Sequence, residues 1–93
     1  MTIRGVTRHE KFAASVARLV KKIPRINEMV EAAIWSIARD PEGDGVRNAL
    51  VGVWQATIIT GDSPHSPRVI LFYTFSRRLV HFLTVKLDTS KSN

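Results

Sequence analysis

Phe12, Val16, Leu19, Val20 and Ile23 recur at helical spacing, with Lys, Arg and Ser between them. The pattern predicts an amphipathic helix of about four turns. Thr7-Arg8-His9-Glu10 stands before it and reads as a capping box, with Thr7 as the cap and Glu10 reaching back. Lys21 and Lys22 then fall in the last turn, and Pro24 ends the helix. A second helix starts near Pro24 or Arg25 and carries Ile26, Val30, Ala33, Ile34 and Ile37 on one stripe, with Met29 widening it and Trp35 off its centre. It stops near Arg39 or Asp40, because Pro41 pushes the residue before it out of the helical region. The short link around Pro24 predicts an antiparallel helical hairpin.

Beyond the turn-rich 40–45 the period changes. Val51 to Thr60 is rich in β-branched residues, and Gly61 to Pro67 is a break. Arg68 to Phe75 sets Val69, Leu71, Tyr73 and Phe75 on one face and Ile70 and Phe72 on the other, so it reads as a central strand. Ser76-Arg77-Arg78 is a tight connection to a last strand, Leu79 to Val85. Residues 2 to 6 form a short first strand, and 87–93 is a polar tail that frays. The predicted class is α+β. One domain over 1–93 has an N-terminal helical hairpin packed on a twisted antiparallel sheet of three to four strands.

Composition narrows the chemistry. Fourteen Lys and Arg against eight Asp and Glu leave a net charge of +6, which favours an anionic partner, nucleic acid first. Solubility is the competing reason for a basic surface. Cysteine is absent, so disulfide and thiolate chemistry are excluded and a cytoplasmic location is compatible. No apolar run reaches the roughly 18 residues of a membrane span, and Met1 to Arg8 has no apolar core of a secretory signal. His9, His65 and His81 are far apart, and no phosphate-cradling glycine run opens a helix, so neither a metal nor a cofactor is expected.

A cationic set remains in the strand half: Arg47, His65, Arg68, Arg77, Arg78, His81 and Lys86, with Tyr73 among them. Cations on a sheet face grip phosphates and stabilise charge building at phosphorus. A nearby His, Tyr or Lys can move a proton during attack by a ribose 2′-hydroxyl. Each also has a plain reading: Arg77-Arg78 as a solvated turn, Tyr73 as core, His81 as a structural strand residue. Arg68, opening an apolar strand, points to a partner or to bulk water.

The string Phe12–Val20, Ala38-Arg39-Asp40-Pro41, Leu50-Val51-Gly52-Val53-Trp54, Pro67-Arg68-Val69-Ile70-Leu71-Phe72-Tyr73 and Leu79–Val85 resembles the RelE/ParE superfamily of bacterial toxins, in its RelE-like or HigB-like branch. The resemblance implies the toxin of a type II toxin–antitoxin pair. Such a toxin is a metal-independent endoribonuclease that cuts mRNA at the ribosome by 2′-hydroxyl attack. It implies a catalytic set of Arg68, His65, Lys86 and Lys91, while the cationic set of the strand half gives Arg47, Arg77, Arg78 and His81 as residues to hold RNA. Arg68 matches the family's strand-opening arginine. Gln55 and Thr57 stand where ribosome-dependent members place lysines. The partners implied are an antitoxin, mRNA and the ribosome. The antitoxin would dock as a helix in a groove or a strand on a sheet edge, with Trp35, Trp54 and Phe75 as anchors. The alternative within the family is a non-catalytic protein that binds DNA gyrase or another partner.

Overall fold

A computed structural model describes residues 4–43, 46–47, 52–61 and 65–88. Its elements run β1 (Gly5–Arg8), α1 (Glu10–Leu19), α2 (Ile26–Arg39), β2 (Val46–Arg47), β3 (Trp54–Ile59), β4 (Arg68–Phe75) and β5 (Leu79–Leu87). The class is α+β, with both helices in the N-terminal half. Thr2, Ile3, Gly45, Val51 and, of the expected tail, residues 89–93 with Lys91 lie outside the described residues; Leu87 does not fray but ends β5, and Asp88 is bonded to Arg68.

His9, rather than Thr7, caps the first helix. Its backbone is extended and its Nδ1 accepts the Lys11 N–H at 3.1 Å. Thr7 belongs to β1, because strand pairing to β5 claims the chain as far as Arg8. Glu10 in the first turn and Arg18 in the last complement the helix dipole. The regular helix closes at Leu19. The N–H groups of Lys22 and Ile23 turn back onto the Leu19 carbonyl, so the two lysines sit in the turn and not in the helix. Ile23 still reaches the core.

Five strands form one sheet in the order β1-β5-β4-β3-β2. The neighbours β2–β3, β3–β4 and β4–β5 are antiparallel, and β4 is central as its doubly apolar pattern requires. β1 pairs parallel to β5, which makes the sheet mixed. The chain between them contains both helices, and they supply the crossover that parallel neighbours need. α1 lies along β5, whereas α2 reaches β1, β3 and β5. Phe12, Val16, Ile26, Val30, Ile34 and Ile37 thereby meet Val69, Leu71, Tyr73, Val80, Phe82 and Val85 in one core.

Two polar groups enter this core with partners. The Ser15 hydroxyl donates to the Lys11 carbonyl and therefore accepts from Thr84 Oγ1, 2.9 Å away. Tyr73 is fully buried, and its hydroxyl donates to the Pro41 carbonyl at 2.6 Å. That bond ties the centre of β4 to the chain leaving α2. Tyr73→Phe leaves this carbonyl without its donor and should cost about 1–3 kcal/mol. Chemical denaturation of the two proteins checks it. Replacing His9 by Ala should cost about 1 kcal/mol through loss of the cap, and His9→Ser should restore most of it.

Candidate nucleic-acid interface

The helices cover one face of the sheet, and no described element covers the other. Alternation assigns the open face. On β4 it carries Arg68, Ile70, Phe72 and Thr74; on β3, paired with them, Gln55, Thr57 and Ile59. Ile59 is 68% exposed. Gln55 and Thr57 thus stand on the side that no described element covers.

β5 reaches this face by changing phase. Tyr73 pairs with Phe82 but Phe72 pairs with Thr84, so Leu83 is an extra residue in a β-bulge. Val80 and Phe82 point to the helices. Unbroken alternation would send Thr84 and Lys86 after them. The bulge instead buries Val85, at 4% exposure, and leaves Lys86 exposed opposite Ile70. The Lys86 ammonium lies 5.9 Å from the Phe72 ring centre, a cation–π contact. Lys86 and Arg68 are diagonal neighbours across the β4–β5 pair, roughly 7–8 Å apart at the backbone. Arg68 is exposed and its side chain makes no hydrogen bond or ion pair among the described residues. Its carbonyl accepts the Asp88 N–H at 2.8 Å, which holds the end of the strand pair.

His65 is exposed in the β3–β4 connection and precedes Arg68 by three residues. This connection is fastened where Thr60 donates both its N–H and its hydroxyl to the Pro67 carbonyl. Arg68, His65 and Lys86 therefore belong to one end of the sheet. Lys91 lies outside the described residues.

The other candidates sit elsewhere. His81 pairs with Thr74, six residues along β4 from Arg68, or roughly 20 Å at strand rise. Its Nδ1 lies 2.5 Å from Thr7 Oγ1, and its ring meets His9 edge-on at 6.2 Å. Arg77 and Arg78 form the two-residue turn beyond it, closed by Ser76 N–H to the Leu79 carbonyl at 2.8 Å. Arg47 stands on β2, opposite Trp54. Tyr73 faces the helices with its hydroxyl engaged, so it moves no proton on the open face. Of the aromatic anchors, Trp54 and Phe75 pack on each other at 5.2 Å beside the core, and Trp35 is 48% exposed on α2.

Two features escape the linear reading. The phase change in β5 was marked only by the spacing of three between Phe82 and Val85. Arg4 reaches the β4–β5 turn, donating from Nε to the Ser76 carbonyl at 2.9 Å, and nothing in the sequence joins positions 72 residues apart. Among the described residues no group of three His, Asp or Glu gathers as metal ligands. No described helix is long and apolar enough to cross a membrane. The chain matches no protein-family model and no curated protein sequence.

Arg68→Ala removes an exposed side chain with no described partner, so unfolding free energy should stay within about 0.5 kcal/mol of wild type. A thermal or denaturant melt tests this before the variant is used in any functional assay.

Proposed function

We propose that the protein binds single-stranded RNA on the open sheet face and acts as the toxin of a type II toxin–antitoxin pair, a metal-independent, cytoplasmic endoribonuclease acting on mRNA at the ribosome. The observation that carries the reading is the pairing of Lys86 with the Phe72 ring, diagonal to Arg68, on a sheet face that no described element covers. A partly exposed aromatic ring offers a base a stacking surface, and adjacent cations hold the phosphates on either side. The net charge of +6 supports association with a polyanion. The resemblance to RelE/ParE toxins supplies the reaction class.

The chemistry asks little beyond what this end of the sheet offers. The ribose 2′-oxygen attacks the adjacent phosphorus, the 2′-proton passes to a base, and the bond to the 5′-oxygen breaks. The products are a cyclic phosphate and a free 5′-hydroxyl. Arg68 and Lys86 stabilise the charge that builds on the non-bridging oxygens. His65, at the same end, is the candidate to take or return the proton. His81 is too far along the strands to share a phosphodiester with Arg68, and it serves the bound strand elsewhere.

That separation also favours a second reading, binding without cleavage. In it the same face holds RNA, or the chain engages gyrase or a protein partner, and no bond is cut.

Induced expression in a bacterial host, with growth and mRNA 5′ ends followed together, tests the proposal. Growth arrest with new 5′-hydroxyl ends inside translated codons is the expected result, and Arg68→Ala should lower cleavage at least 100-fold, a loss of about 2.7 kcal/mol of transition-state stabilisation. Soluble, folded protein with unchanged growth and no new ends would remove the nuclease and leave the binding reading. His65→Ala should slow cleavage while leaving RNA affinity within about twofold, in keeping with a proton-transfer role.

A further inference from the structure

At the end of the sheet away from Arg68, arginines distant in sequence converge on the β4–β5 turn. Arg77 and Arg78 are its two central residues, both exposed. The Arg78 carbonyl accepts the Gly5 N–H at 2.7 Å, which brings the neighbouring Arg4 alongside. Arg4 Nε is fixed on the Ser76 carbonyl at 2.9 Å, and its guanidinium lies 5.6 Å from the Phe75 ring centre. The Arg4 N–H in turn donates to the Ala38 carbonyl at 3.2 Å, and the exposed Arg39 is the next residue of the chain, at the end of α2.

None of these four arginines is ion-paired among the described residues, where the salt bridges are Arg8–Glu31 and Arg25–Glu28. The carboxylate nearest in sequence, Asp40, accepts the Gly43 N–H instead. Four like charges held together by backbone pairing repel one another unless an anion lies among them. Arg4 is pre-set by its Nε bond and by the ring beneath it, which lowers the ordering cost of a further contact. Guanidinium groups present forked donors that match phosphate oxygens.

We infer that Arg4, Arg77 and Arg78, with Arg39 beside them, form a second phosphate-binding site, which grips the backbone of a polynucleotide strand about 24 Å from Arg68 along β4. The two sites bracket the strand. The Arg68 end performs the chemistry and the turn holds the chain that leads to it, so affinity rises steeply once an oligonucleotide reaches both. The identity of the strand as RNA rests on the reading of the open face. The anion site at the turn does not.

The experiment measures binding of fluorescent 2′-O-methyl oligouridylates, which cannot be cut, over lengths of about 4 to 16 nucleotides. Wild type is compared with Arg77→Gln/Arg78→Gln, with Arg4→Gln and with Arg68→Ala/Lys86→Ala. For the long oligomers the turn variant should lose at least tenfold in affinity, and its salt slope should shrink by about 0.7 for each phosphate released. The shortest oligomers should bind it as they bind wild type. Arg4→Gln should weaken long-oligomer binding in the same direction, and circular dichroism confirms that each variant is folded. Wild-type affinity and salt slope for the folded turn variant on the long oligomers would overturn the site. Pyrophosphate at equal phosphate concentration should compete poorly; equal competition would mean a small-anion site and overturn the polynucleotide assignment. If Arg68→Ala/Lys86→Ala changes nothing while the turn variant loses affinity, the open-face reading fails and the turn site stands.

Discussion

One unpaired residue governs which chemistry this sheet displays. Leu83 is the extra member of the β4–β5 pair, and it reverses the alternation of β5 halfway along its length. Before it, Val80 and Phe82 face the helices; after it, Val85 does. His81 and Lys86, of opposite parity in sequence, consequently share the uncovered side. A regular strand could expose only one of them without burying the other. Burying a lysine in the core beneath the helices would cost several kcal/mol unless it found a charged partner. The core therefore enforces the bulge, and the bulge delivers Lys86 to Phe72.

The covered face carries its own polar ties. Thr84, next to the bulge, donates to Ser15 on α1, and this adds a partner to the buried polar residue of that helix. On the other side of the core, the Tyr73 hydroxyl holds the Pro41 carbonyl and so fixes the exit of α2. Between these two bonds the helices are pinned to opposite parts of the sheet. They diverge enough to leave an open groove of about 290 Å³ lined by Ala13, Val16, Ala17, Val20 and Val30, with the Arg8–Glu31 ion pair on its rim. The scaffold behind the open face is thus tied to the helices at two points, which suits a surface that must place cations in register with a repeating polyanion.

The distribution of charge along β4 gives the open face a direction. Arg68, Lys86 and His65 occupy one end; His81, Arg77 and Arg78 occupy the other, and Arg4 reaches that end from the helix side, over Phe75. Between them lie Ile70, Phe72 and Thr74, with Thr57 and Gln55 alongside. A cation-rich end, an aromatic and apolar middle, and an arginine-rich end form a track on which bases and phosphates find complementary surfaces in turn. Grouping the polar candidates by residue type alone would have mixed the two ends.

Local periodicity carried the elements far. The buried stripe of α2 and the limits of β4 follow from residues that touch their own neighbours in the chain, because helix and strand periods are properties of a short segment. The central place of β4 followed from its two apolar faces, and the α+β class from the order of the periods. The cap of α1 was misplaced by two residues, since Thr7 has a good capping side chain but β1–β5 pairing claims its backbone first. The parallel partnership of β1, the bulge at Leu83, the bond from the Tyr73 hydroxyl to the Pro41 carbonyl and the approach of Arg4 to the turn were not legible. Each joins residues far apart in the chain, and only the packed core fixes their relative phase. The sequence by itself determined both helices and every strand except β2, and that the chain is cationic. The tertiary structure decided which cations share a face and which share an end, because a single-residue shift in pairing sends every later side chain to the opposite side of a sheet.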